Sequence, residues 1–119
     1  MNKKILICDD DRGILEVIQI MLQSKGCAVE AISDGKGIIK RVQKFTPDLI
    51  FLDIWMPGID GKEIVSLLKR DEKIKNIPVI IISALSDVES IAKRIGANGY
   101  LGKPFEMEKL FSIVDRFAR

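Results

Sequence analysis

The chain has 119 residues, with 19 Lys and Arg against 17 Asp and Glu, no histidine, and a formal net charge of +2. Its 47% hydrophobic and 30% charged residues suit one globular domain over residues 1–119, and exclude a disordered segment. So mild a charge, without any Lys/Arg block, gives no footprint for nucleic acid, and the missing histidine excludes His metal sites, His general bases and Ser-His triads.

Ile5 to Cys8 is a short apolar run that enters Asp9-Asp10-Asp11, and it is expected to be the first strand. Ile14, Leu15, Ile18, Met21 and Leu22 then follow helical spacing, with Gly26 as the stop. Ala28 to Ile32 is a short second strand. Asp34 is expected to cap a helix that carries Ile38, Ile39 and Val42 and ends before Pro47. Leu49 to Asp53 is continuously apolar until its last residue, as a strand buried on both faces should be. Met56-Pro57-Gly58-Ile59-Asp60-Gly61 is turn chemistry, followed by a helix bearing Ile64, Leu67 and Leu68. Val79 to Ile82 is the fourth strand. Ser86-Asp87-Val88-Glu89 fits a capping box ahead of a stripe of Val88, Ile91, Ala92 and Ile95, which stops at Gly96. Gly99 to Leu101 is the fifth strand, and Met107, Leu110, Phe111, Val114 and Ala118 mark the last helix. The alternation predicts an α/β fold, (βα)5, with a doubly wound parallel five-stranded sheet and no output domain after the last helix.

In such a sheet every strand points the same way, so all their C-terminal ends share one edge, where open α/β sheets bind ligands. Asp9, Asp10, Asp53, Ser83 and Lys103 would converge there. Crowded carboxylates repel one another unless a cation is present, and oxygen-only donors on a rigid edge suit Mg²⁺. Metal, ammonium and hydroxyl together match the needs of a transferring phosphoryl group, for which one carboxylate can be the nucleophile. Asp53 fits that role, alone at its strand end, whereas Asp9 and Asp10 form a metal-holding pair. Cys8 and Cys27 lie about five residues apart in height on neighbouring strands, roughly 15 Å at ~3.3 Å per residue, too far for a disulfide. Both are expected to be reduced packing residues. Met1-Asn2-Lys3-Lys4 precedes too short an apolar stretch for a signal peptide, and no run reaches membrane-spanning length, so a cytoplasmic location is expected.

The chain resembles the receiver domain of two-component response regulators, of the chemotaxis-regulator type, over essentially its whole length. The matching stretches are Ile5-Leu6-Ile7-Cys8-Asp9-Asp10-Asp11, Leu52-Asp53-Ile54-Trp55-Met56-Pro57-Gly58-Ile59-Asp60-Gly61, Ile82-Ser83-Ala84 and Gly99-Tyr100-Leu101-Gly102-Lys103-Pro104-Phe105. The resemblance implies the flavodoxin-like strand order 2-1-3-4-5. It implies that Asp53 accepts a phosphoryl group from the phosphohistidine of a histidine kinase or histidine phosphotransfer protein. Mg²⁺ would be held by Asp10, Asp53 and the main-chain carbonyl of Trp55, with Asp9 acting through water. Lys103 would pair with phosphoryl oxygens, Ser83 would swing in to bond another, and Tyr100 would be an aromatic switch that follows it. Lys103-Pro104 matches the family's usual cis peptide. The domain would be a signalling phosphoacceptor rather than a turnover enzyme, promoting only its own phosphorylation and dephosphorylation. It would alter the surface of the fourth helix, fifth strand and fifth helix toward a downstream protein target or fused output domain. Direct contact with nucleic acid or membrane is not expected, and the protein would be a monomer or a phosphorylation-dependent dimer.

Each residue has a structural reading beside the functional one. Asp11 is expected to cap the first helix and Asp60 to serve the turn before Gly61. Trp55 would shield the site with its ring, Tyr100 fits a half-buried strand position, and Cys8 is core. Two departures from the family pattern stand out: Gly102 is smaller than the usual residue before the lysine, and Asn98-Gly99 lacks the acidic pair frequent in DNA-binding members. Other classes fit less well. A haloacid-dehalogenase-type phosphatase would use the D-x-D spacing in Asp9-Asp10-Asp11 and leave Asp53 unexplained. An FMN carrier would place its phosphate against acidic residues, and a degenerate receiver acting as a pure interaction module would lack part of the chemical set found.

Overall fold

The computed structural model describes residues 2–56 and 59–118, the side chain of Ile59 excepted. Five strands form one sheet: β1 (Lys4–Cys8), β2 (Ala28–Ile32), β3 (Leu49–Asp53), β4 (Val79–Ser83) and β5 (Gly99–Gly102). They are parallel throughout and lie in the order β2-β1-β3-β4-β5, as the resemblance implies. Five helices alternate with them: α1 (Arg12–Ser24), α2 (Ile38–Phe45), α3 (Gly61–Arg70), α4 (Val88–Ile95) and α5 (Met107–Phe117). A two-residue antiparallel ribbon, Trp55–Met56 against Ile59–Asp60, links β3 to α3. Pro57 and Gly58 of the predicted turn lie outside the described residues.

Between their end residues the central strands are apolar throughout, because they are covered on both faces. Ile5, Ile7, Phe51, Ile80, Ile82 and Leu101 face one layer, where Leu15, Ile18 and Leu22 of α1 meet Leu110 and Val114 of α5. Leu6, Cys8, Ile50, Leu52 and Val79 face the other layer, against Ile38 and Val42 of α2 and Ile64, Val65 and Leu68 of α3. Ile81 meets Val88 and Ala92 of α4 on that same side. Each fully buried aliphatic side chain contributes about 1.5–3 kcal/mol, so the sheet core carries most of the drive to fold. Among the described residues no helix is long and apolar enough to cross a membrane.

Four helical details differ from expectation. Asp34 does not cap α2: its Oδ1 accepts from the Lys36 N–H in a turn, and Gly37, at φ 72, is the capping position. The capping box at Ser86 does not form either. Asp87 occupies the N-cap of α4 without a side-chain hydrogen bond, and Glu89 points elsewhere. On α3 Leu67 is 40% exposed while Val65 is 1% exposed, because the buried stripe runs 61, 64, 65, 68. Met107 of α5 is likewise exposed. Thr46, which ends α2, takes a left-handed conformation at φ 46, a strained choice for a β-branched residue. Gly26 ends α1 as expected, at φ 83. Cys8 and Cys27 are free and sit at opposite ends of adjoining strands, since Lys4 is level with Ala28 and Cys8 with Ile32.

Candidate functional site

Register brings the reactive residues together. Cys8 pairs with Leu52, Asp53 with Ile82, and Ser83 with Gly102. Asp9 and Asp53 therefore stand at one height at the C-terminal edge of the sheet, with Ser83 one residue and Lys103 two residues beyond it. One carboxylate oxygen from each of Asp9, Asp10 and Asp53 lies within 4.8 Å of the others. Asp9, Asp53 and Ser83 are buried, whereas Asp10 is exposed.

Lys103 Nζ stands 2.8 Å from Asp9 Oδ2 and 3.5 Å from Asp53 Oδ2. The shorter contact is a close charge pair rather than a well-directed hydrogen bond, so buried Asp9 Oδ2 accepts none from the described residues. Asp9 Oδ1 accepts from the Asp11 N–H at 2.9 Å. Asp53 Oδ1 accepts from the Trp55 N–H at 2.9 Å. Ser83 Oγ accepts from the Leu85 N–H at 3.0 Å, and its carbonyl accepts from the Lys103 N–H at 2.8 Å. The peptide between Lys103 and Pro104 is cis.

The electrostatics follow from crowding and burial. Desolvation, with Asp9 adding its hydrogen bond and its charge, pushes the Asp53 carboxyl up to about 6, against the lowering effects of the Trp55 N–H and Lys103. Burial alone works to lower the Lys103 ammonium, but its contacts with Asp9 and Asp53 together outweigh this and raise it, keeping it charged. Burial, then the charges of Asp9 and Asp53, push the Cys8 thiol up to about 12, so it stays protonated. One ammonium cannot balance three carboxylates. The donor set is oxygen only, and Asp9 Oδ2 is a buried acceptor lacking a well-aimed donor, which a metal-bound water can supply. The residues present thus fit a hard divalent cation such as Mg²⁺.

The remaining candidates fall around this centre. Asp11 caps α1 through the N–H groups of Gly13 and Ile14, and Asp60 caps α3 through that of Lys62. The Trp55 ring is 65% exposed at the rim. Tyr100 is 39% exposed and its hydroxyl donates to Glu89 Oε2 at 3.3 Å. Two groups escaped the sequence reading. The Leu85 N–H on Ser83 has a local signal, since a hydroxyl often bonds the N–H two residues on. The Cys8 thiol donating to Met56 Sδ at 3.5 Å has none, because the two are far apart in sequence.

A parallel doubly wound sheet with an acidic cluster, a lysine and a hydroxyl at its C-terminal edge defines a narrow class of α/β proteins. The family profile described as the response regulator receiver domain matches residues 5–115. The chain is 38% identical, over 98% of its length, to the DNA-binding dual master transcriptional regulator RpaA of Synechocystis sp. strain PCC 6803. That match covers 49% of the relative, so the chain spans about half the length of the first curated relatives it matches. The chemotaxis protein CheY4 of Vibrio cholerae superposes with a TM-score of 0.89 at 30% identity, covering 98% of this chain and 99% of that one. The receiver domain of a sensor histidine kinase from Pseudomonas aeruginosa PAO1, with a magnesium ion coordinated in its active site cleft, gives a TM-score of 0.88 at 26% identity. Coverage there is 99% of this chain and 98% of that one. The chain belongs to the receiver domain family of two-component response regulators, whose general role is to accept a phosphoryl group.

Proposed function

We propose that Asp53 is the phosphoacceptor of this receiver domain and takes its phosphoryl group from a phosphohistidine on a kinase or phosphotransfer partner. The observation that carries this reading is the placement of the Asp53 carboxylate: buried, 3.5 Å from the Lys103 ammonium and within the three-carboxylate group. A carboxylate oxygen of Asp53 attacks phosphorus, the P–N bond breaks, and its electron pair leaves with the imidazole, which departs neutral when its other nitrogen is protonated. Lys103 follows the charge onto the phosphoryl oxygens, and Ser83 Oγ turns from the Leu85 N–H to donate to another. Asp10, Asp53 and the Trp55 carbonyl would hold Mg²⁺ directly, and Asp9, already committed to Lys103 and the Asp11 N–H, through water. Bound there, the cation supplies the charge neutralisation that lets a dianionic donor approach a carboxylate. The domain passes its state to a downstream target or fused output domain and is not itself a turnover enzyme. Incubation with acetyl phosphate and Mg²⁺ should give a base-labile adduct on Asp53 by mass spectrometry. An adduct that persists in Asp53→Asn, or forms equally well in excess EDTA, removes the assignment.

A further inference from the structure

A groove of about 380 Å³ opens between the ribbon after β3, the start of α3 and the side of α4 that carries Ile91, Arg94 and Ile95. Trp55 and Leu85 form its apolar rims, Met56 and Ile91 its floor, and Lys62 and Arg94 bring two cations. Neither cation forms an ion pair among the described residues. The lining carboxylate, Asp60, is turned to the Lys62 N–H at the head of α3. The groove is therefore apolar at its centre and positive at its edge. It is separate from the cleft of about 390 Å³ between α4 and α5, lined by Lys93, Tyr100 and Lys109.

From this we infer a docking site between α3 and α4 for a short partner segment that buries a large apolar side chain between Trp55 and Leu85 and sets carboxylates against Lys62 and Arg94. An exposed indole beside an aliphatic rim is the composition of an interface anchor, and the unpaired cations select an acidic segment over a basic one. The rims are also tied to the chemistry. The Trp55 N–H is held by Asp53 Oδ1 and the Leu85 N–H by Ser83 Oγ, so movement of either acceptor releases one wall of the groove. Use of that link as a readout of phosphorylation rests on the proposed function; the docking site and the link themselves do not.

The test uses two helical peptides that present the same Leu stripe, flanked by Glu in one and by Lys in the other. Trp55 is the single tryptophan of the chain, so with Mg²⁺ held constant a change in its emission on adding peptide reports on the groove. The Glu peptide should shift Trp55 emission to the blue and bind at least tenfold more tightly than the Lys peptide. The double variant Lys62→Glu/Arg94→Glu should reverse this preference, and Arg94→Lys should keep it. Ser83→Ala, which removes the acceptor of the Leu85 N–H, should weaken the Glu peptide at least threefold with no phosphoryl donor present. Equal affinity for the two peptides, an unshifted Trp55 emission, or a preference that survives charge reversal overturns the docking site. Unchanged affinity in Ser83→Ala overturns the link.

Discussion

Asp10 and Asp11 are adjacent acids with opposite fates, one in the carboxylate cluster and one spent on the first turn of α1. Asp10→Asn should therefore raise the Mg²⁺ dissociation constant at least tenfold in a Trp55 fluorescence titration. Asp11→Ala should leave it within about twofold and cost about 1 kcal/mol of stability in urea, the usual value of a lost N-cap. Equal effects on the Mg²⁺ midpoint would show the acidic cluster to be wrongly divided. Asp53 carries a second expectation. Its folded-state pKa of about 6 lies above the ordinary carboxylate value of 3.8, so between these the folded protein holds a proton that the unfolded chain has released. Metal-free stability then falls as pH rises from about 4 to about 6, and the loss is complete above that window. Asp53→Asn, which cannot ionise, should gain on the wild type through the same window by on the order of 1–2 kcal/mol, and saturating Mg²⁺ should erase the gain. Parallel pH profiles for the two proteins in EDTA would contradict the buried, crowded carboxylate described for Asp53.

At the scale of elements, α3 begins at a residue with no room to grow. A Cβ on Gly61 would stand 3.1 Å from Ile54 Cγ2 and 3.2 Å from the Ile54 Cα, and that backbone adjoins Asp53. Gly61→Ala should cost about 1–3 kcal/mol and weaken Mg²⁺ binding, since α3 or Ile54 must shift. Gly102→Ala, whose Cβ would meet only Val88 Cγ1 at 3.9 Å, should change stability by no more than about 0.5 kcal/mol, although Lys103 is next to it. Similar melting and Mg²⁺ curves for these two variants would remove the argument from close approach. The strands were legible in the sequence because a run buried on both faces is apolar at every position, and their ends named Asp9, Asp53, Ser83 and Lys103 with no further information. Helix starts were less legible. Asp34 and Ser86 have the right chemistry for a cap, but Asp34 bonds Lys36 instead and α4 starts at Val88, one residue after Asp87. The exchange of Leu67 for Val65 on α3 has the same origin: apolar spacing defines a stripe only until the neighbouring helix chooses its edge. The Cys8–Met56 contact and the tie from Tyr100 to Glu89 join separate elements, which no local pattern encodes.

Across the whole molecule, the site and the surface of α4, β5 and α5 are joined by short bonds, which the proposed function requires to have a second arrangement. Ser83 Oγ holds the Leu85 N–H just before α4, and the Ser83 carbonyl holds the Lys103 N–H just after β5. Tyr100 lies on β5 opposite Ile81, two residues before Ser83, with its ring outward and its hydroxyl on Glu89 of α4 at 3.3 Å. That bond is long and exposed, so its loss costs little. Under the proposed function, a Ser83 drawn to a phosphoryl oxygen would vacate space that Tyr100 could fill. A phosphoryl group on Asp53 would then shift a pre-existing equilibrium by contacting one arrangement better than the other. Lys93, Asn98 and Lys109 border the cleft that Tyr100 lines, whereas Arg94 borders the groove on the opposite side of α4. Beryllofluoride with Mg²⁺, standing in for the phosphoryl group on Asp53, should therefore move backbone amide signals from Ala84 through Lys109. In Ser83→Ala the distant part of that response should shrink while signals beside Asp53 still move. In Tyr100→Ala the loop before α4 should respond as in the wild type, with the change at Lys93, Asn98 and Lys109 reduced. Wild-type shifts confined to the residues touching Asp53 would leave the protein a phosphoryl store with no switch, and an undiminished distant response in Ser83→Ala would place the coupling outside Ser83.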